Sequence, residues 1–484
     1  MISAKQSMVL LLAFSATSLS AQQSPSMPQE HMHHHEDIQT VQPFFPRMGR
    51  AQENAKGTLF SLEEAQHLAA ESNPTLRQAE AEIRAAKARM RQAGLYPNPS
   101  LGYTGDEIRG GSINGGKQGF FLEQTVVTGG KLGKARSVFE QESRLAELEA
   151  EEQKLRVQTA VKVAFYRVLA AQELLDTRRD LAQIEQIYAD VERQLSNTGQ
   201  ADETEVLEAE VDAHHTRLST RMQENTLREE WKSLAAVLGH PDLPFTTVAG
   251  DLQQNWPEIN EKQAIESIAA ESPAARIADA AGTRASAEMT RAKSQAIPDI
   301  QMRGGLEYNN EPLVSVPHDI GWEGIAELSV QIPIFNRNQD NVAAASADVE
   351  RALLEKQRVA LTLRERASTI VDEYTNGKLI AVEYREEMLP RAQKAYSLMS
   401  DKYGRMLASY PRVLQSQRKL FELQAEYIQA LETVWTTGIA LQGFLLTDGL
   451  EAPARPSEVD RPIRETNVPM PERTMSPLDS LPRP

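Results

Sequence analysis

Residues Lys134–Asn197 read KARSVFEQESRLAELEAEEQKLRVQTAVKVAFYRVLAAQELLDTRRDLAQIEQIYADVERQLSN. The stretch holds no proline and no glycine, and the strong helix formers Ala, Glu, Leu, Arg and Gln dominate it. At 1.5 Å per residue it makes a rod of roughly 95 Å. In its second half Leu174, Leu181, Tyr188 and Leu195 recur every seven residues, with Ile184 and Val191 three further on. That is the narrow seam of a coiled coil, not the broad apolar stripe of a globular helix. No compact domain is that wide, so any function has to account for a rod.

Working outward, a short helix is expected over 58–73, opened by the capping pair Ser61 and Glu64. Pro74 begins a second helix, with Asn73 as its cap, and Gly94 closes it. Two strand-like segments follow at 99–108 and 118–127, each near the ten residues that a tilted transmembrane strand needs. Beyond the rod, Gly199 breaks the helix, and another over 202–238 returns along it. The pattern then restarts. Ala69-Ala70-Glu71-Ser72 reappears as Ala269-Ala270-Glu271-Ser272, with Pro273 where Pro74 stood. Strands are expected at 299–309 and 324–334, a second rod over 340–403 bent by Pro390, and a return helix over 405–446. That last helix carries two adjacent heptad stripes, Met406-Val413-Leu420-Tyr427-Val434-Leu441 and Leu407-Leu414-Phe421-Ile428-Trp435, so it packs between two neighbours. The domain plan is two structural repeats, 58–258 and 259–447, with a period near 200 residues.

Flanking segments read differently. Residues 1–21, with Lys5, the apolar run Met8–Phe14 and small residues after it, resemble a secretory signal. Residues 22–57 are a polar leader, and 448–484 form a proline-rich tail expected to be disordered. The net charge of -16 shows no basic stripe and argues against nucleic acid as a partner. Cysteine is absent, which excludes disulfides and thiolate chemistry. No zinc-protease, Walker or nucleophile-elbow motif is present, so no catalytic residue is assigned and the chain does not read as an enzyme.

The fold class implied is mainly α with a small transmembrane β part: duplicated long helical hairpins plus four β-strands per chain. Four strands cannot close a barrel, and an open sheet edge cannot face lipid. Three chains would supply twelve strands and a helical tunnel continuing them. In element order this resembles the TolC family of outer-membrane efflux proteins over about residues 58–447. The motifs carrying the resemblance are Ser72-Asn73-Pro74, Tyr96-Pro97-Asn98-Pro99, Glu123-Gln124 before Gly129-Gly130-Lys131, Gly199 seven residues before Val206-Leu207, and Leu389-Pro390. The resemblance implies a homotrimer in outer-membrane lipid. It also implies a periplasmic adaptor and an inner-membrane pump of the resistance-nodulation-division or ABC type. Heavy-metal cations are the expected cargo, with multidrug efflux or type I protein secretion as alternatives in the same architecture. The rival from another class is a periplasmic coiled-coil adaptor that never enters a membrane.

Family members often carry acidic residues around the Val-Leu pair at the periplasmic tip. Here Glu205 and Glu208 flank the first pair, and Arg412 and Gln415 flank the second. One reading is a latch in which Glu205 and Arg412 alternate around the closed end; the other is ordinary solvated charges near a helix turn. No resident cofactor is expected. The cluster His31, Met32, His33, His34 and His35 offers imidazole and thioether ligands suited to transient binding of copper, silver, zinc, cobalt or nickel. The bland alternative is a polar leader with chance histidines. Tyr103, Phe120, Phe121, Tyr308 and Trp322 lie near strand ends and are candidates for an interfacial girdle, core packing being the competing reading.

Overall fold

A computed structural model describes residues 59–108, 116–312 and 319–453. The signal, the His31–His35 leader and positions 454–484 of the tail lie outside the described residues. Helix α1 (Leu62–Ser72) starts at a full capping box in which Glu64 N–H donates to Ser61 Oγ (3.2 Å) and Ser61 N–H to Glu64 Oε2 (2.9 Å). Helix α2 (Pro74–Ala93) follows at once, because Pro74 cannot continue α1 and Asn73 Oδ1 caps the new helix through Thr75 N–H (2.9 Å).

Strands β1 (Ser100–Asp106) and β2 (Lys117–Val126) precede the first rod, α3 (Lys131–Asn197). This unbroken helix of 67 residues is about 100 Å long. Helix α4 (Glu203–Val237) returns along it. The second repeat runs α5 (Glu261–Glu271), α6 (Pro273–Ser294), β3 (Ile300–Pro312), β4 (Asp319–Val330), α7 (Gln339–Glu383), α8 (Leu389–Gly404) and α9 (Tyr410–Gln442). Strand β4 begins five residues earlier and ends four earlier than its apolar alternation suggests. Its early part is Gly- and Glu-containing and hides the alternation.

The second rod is continuous from Gln339 to Gly404, with no sharp stop at Pro390. Proline offers no N–H to the carbonyl four residues back and crowds it. The backbone answers by widening to a π-turn over Tyr384–Met388, in which Leu389 N–H donates to the Tyr384 carbonyl. Along this rod Leu363, Ala367, Tyr374, Gly377 and Ala381 are buried at steps of three, four and seven, as is Val359, while Leu353 stays 57% exposed. Lys356 reaches out to Asp279 of α6 (2.6 Å).

Helix α9 packs against α3 on one side and α7 and α8 on the other, and both of its stripes are buried from Val413 to Leu441. Met406 and Leu407 drop out of the stripes because they form the turn before the helix, which starts five residues later than expected. Helices α6 and α9, of 22 and 33 residues, therefore reach about 83 Å laid end to end, short of the rod beside them. The main core lies in that middle zone. There Val161, Val168 and Leu169 of α3 meet Leu234, Val248, Leu252, Leu431 and Val434. The connector after α4 is bonded into this zone, with the Leu252 carbonyl accepting from both Trp256 Nε1 (2.9 Å) and Trp435 Nε1 (2.8 Å). Residues Asp448–Pro453, expected in the disordered tail, are instead laid against α3.

Candidate functional site

The four strands form one antiparallel sheet in the order β1-β2-β3-β4. Register fixes what shares a face, since side chains alternate along each strand. One face carries Leu101, Tyr103, Phe120, Leu122, Met302, Leu306, Tyr308, Trp322 and Leu328. Leu101, Leu328 and Trp322 are 77%, 68% and 71% exposed, an apolar surface with none of the described residues packed over it. The opposite face carries Lys117, Glu123, Arg303, Glu307, Glu323 and Glu327. Lys117 Nζ lies 3.2 Å from Glu323 and 3.9 Å from Glu307, and Arg303 lies 3.8 Å from Glu327. Carboxylates outnumber cations on this face.

Four of the five girdle candidates sit on the apolar face. Tyr103 meets Phe120 edge to face (5.7 Å between centroids) and Tyr308 meets Trp322 likewise (5.5 Å), both pairs toward the loop end of the sheet. Phe121 does not belong with them. Next to Phe120 in the strand, it points to the polar face, where the Arg303 guanidinium lies 3.8 Å from its ring centroid. Its ring fills the space over Gly102, whose absent Cβ would come 2.3 Å from it. Two consecutive aromatics in a strand cannot share a surface, and strand alternation was the signal that separates them.

At the other end of the rods, α3, α4 and α9 enclose a recess of about 320 Å³ lined by Glu185, Tyr188, Glu205, Glu208, Asp212, Leu414, Gln415 and Arg418. Three of the four tip candidates thus come together. Arg412 is exposed and does not line the recess, and Glu205 closes a capping box with Asp202 N–H (3.1 Å) instead of pairing with Arg412 within the chain. The cation at the centre is Arg418, unnoticed in the sequence. It lies 3.0 Å from Glu185 Oε1, 2.7 Å from Asp212 and 3.2 Å from Glu422, joining α9 to both helices of the first hairpin. The Glu185 contact is an ion pair without hydrogen-bond alignment. Burial pushes the Glu185 carboxyl up, while Arg418 pulls against that shift. The Tyr188 hydroxyl is also raised, by burial and then by Glu192. A charge one step off a heptad seam, as Glu185 is beside Ile184, was the available signal.

Among the described residues no group of three or more His, Asp or Glu side chains is arranged to hold a metal ion. The His31–His35 cluster cannot be placed, since it lies outside them. No described helix is long and apolar enough to cross a membrane.

Comparison with known proteins agrees with this geometry. Residues 65–240 match the family model described as outer membrane efflux protein. The cobalt-zinc-cadmium resistance protein CzcC of Cupriavidus metallidurans is 23% identical over 407 residues, covering 83% of this chain and 92% of the relative. The crystal structure of CusC superposes with a TM-score of 0.64 at 17% identity, over 83% of this chain and 98% of that one. The outer membrane protein VceC of Vibrio cholerae gives 0.63 at 16%, over 81% and 97%. Helical rods in two repeats and a sheet with one bare apolar face give this chain the fold of the TolC-like outer-membrane channels, and over its first hairpin it is similar to the outer membrane efflux proteins.

Proposed function

We propose that three copies of this chain form the passive exit duct of a tripartite efflux system, and that its cargo is heavy-metal cations. The observation that carries the duct is the sheet: one apolar face, one acidic face, and unpaired edges along β1 and β4. Twelve strands from three chains close those edges, put the aromatic and leucine face in lipid, and line the lumen with carboxylates. The helical repeats extend the lumen through the periplasm toward an adaptor and an inner-membrane pump. An acidic lining favours cations by attraction along the whole wall.

The cobalt, zinc and cadmium named for the relative CzcC support the choice of cargo. His31, Met32, His33, His34 and His35 supply the borderline-soft ligands that such ions prefer, and they serve as a capture site ahead of the duct. A strain lacking the chain should become hypersensitive to cobalt, zinc or cadmium with drug tolerance unchanged. Drug sensitivity alone would assign the duct to multidrug efflux. Replacing His31 and His33–His35 by Ala should weaken zinc binding to the purified protein in calorimetric titration. Equal affinity would remove the capture site.

The tip recess is the gate. Glu205, Glu208 and Gln415 line it, Arg418 holds α9 to α3 and α4 within each protomer, and the exposed Arg412 in the first turn of α9 would meet a neighbouring protomer's Glu205. Arg418→Ala should raise single-channel conductance in planar bilayers more than Arg412→Ala does. Unchanged conductance in both would remove the gate.

A further inference from the structure

Asn73, Gln153 and Arg156 are among the most completely hidden polar residues of the first repeat, at 1%, 2% and 3% exposure. Each finds partners in chain that follows some 300 residues later. Asn73 Nδ2 donates to the Val237 carbonyl (2.8 Å) and the Gly449 carbonyl (3.3 Å), while its Oδ1 accepts from Thr75 Oγ1 (2.6 Å). Gln153 Nε2 donates to Thr75 Oγ1 (2.8 Å) and to the Glu451 carbonyl (3.0 Å). The Arg156 guanidinium is bracketed by the carboxylates of Glu152 and Glu451.

Packing along this strap leaves no slack. A Cβ on Gly443 would come 2.2 Å from Thr159 Oγ1, and one on Gly449 2.8 Å from Ala160 Cβ and 2.9 Å from Val237 Cγ1. Between them Phe444 (φ 55°) and Leu445 (φ 66°) are both left-handed, which L side chains hold only when their surroundings impose it. Among the described residues the second repeat shows no such strap: Ser272 Oγ caps α6 through Ala275 N–H (3.2 Å). The strap therefore serves something other than the helical repeat.

We propose that residues 443–451 are an assembly clasp. They complete the buried polar core of the first repeat, so that a protomer becomes ready for its neighbours only after the second repeat has been made and has crossed the inner membrane. Arginine cannot shed its charge, so without the strap the guanidinium of Arg156 loses one of its two carboxylates together with its cover. Asn73 and Gln153 each lose an acceptor at the same time, which leaves the joint of α2 with α3 and with the end of α4 to the Gln153–Thr75 and Asn73–Val237 bonds. Unfinished chains are thereby kept out of rings, a consequence that rests on the trimer reading above.

The test uses the full chain carrying Gly449→Val, which obstructs seating without touching a charge. The control is Leu450→Ser, at a half-exposed neighbour. Hydrogen exchange of amides 153–160 and the yield of heat-resistant trimer are read together. Gly449→Val should speed that exchange at least ten-fold and remove most of the trimer, with Leu450→Ser behaving like the parent. A chain stopped after Thr447 should match Gly449→Val, and one stopped after Pro453 should match the parent. Parent-like exchange in Gly449→Val, or normal trimer yield from the chain stopped after Thr447, overturns the clasp. If the parent itself forms no trimer, the trimer reading fails, and exchange at 153–160 still decides whether the strap holds the first repeat.

Discussion

Met406 occupies in the second hairpin the left-handed position that Gly199 holds in the first. Each lies seven residues before the Val of its Val-Leu pair, with φ of 60° and 73°. The helix endings match as well: Gln200 N–H donates to the Leu195 carbonyl and Leu407 N–H to the Lys402 carbonyl, both at 2.8 Å. Gly404, the glycine nearest this turn, is still helical. A methionine with positive φ costs about 1 kcal/mol that glycine avoids. Met406→Gly should therefore raise the denaturation midpoint by an amount corresponding to about 0.5–1 kcal/mol, and Gly199→Ala should lower it similarly. A fall on Met406→Gly would mean that its 94% exposed side chain is held by contacts outside the protomer.

Arg418 and Glu185 are unequal partners, the first 38% exposed and the second 2%. Removing the arginine strands a buried carboxylate, whereas removing both charges does not. Arg418→Met should cost about 2 kcal/mol in chemical denaturation. Adding Glu185→Leu should recover most of it. If the double variant is as weak as the single, the ion pair does not hold α9 to the first hairpin.

On the polar face of the sheet, Gly102 leaves the space that Phe121 fills. Gly102→Val should lower the yield of folded, heat-resistant protein several-fold, and Phe121→Ala in the same chain should restore part of it. Unaltered yield from Gly102→Val would show that the ring can turn away at no cost.

Half-buried on α3, Glu173 has its carboxyl pushed up to about 7 by burial, then by Asp251 of the connector and Asp176 a turn away. The folded chain holds this proton more tightly than the unfolded chain does. Its contribution is therefore complete below the ordinary carboxylate range and is lost as pH rises toward 7. The melting temperature should drop between pH 5 and pH 8, and Glu173→Gln should flatten that part of the profile. An identical slope in the variant would assign the pH dependence to other groups.

The rods were legible because nothing in Lys134–Asn197 competes with helix, and the strands because apolar and polar residues alternate in segments such as Gly324–Ile334. What stayed hidden was tertiary. Arg418 reads as one more surface charge until α3 and α4 bring Glu185 and Asp212 to it. Phe121 clusters with Phe120 in sequence, but strand alternation puts the two on opposite faces. Proline at 390 announces a break in the hydrogen bonding, and one wide turn absorbs the missing bond within a continuous helix. The order of Asp448–Pro453 had no local signal, since glycine and proline there read as loop, and its partners lie in α2 and α3.

Because β1 and β4 each present a bare edge, a ring of three such chains needs all of its members to be sound. A chain whose β4 edge is blocked, for instance by Leu328→Pro, would poison the normal chains it joins. Expressed in equal amounts, such a mixture would leave only about one ring in eight free of it, the cube of one half. On the trimer and efflux reading, resistance in a cell carrying both copies would fall far below half, so the blocked chain would be dominant over the normal one.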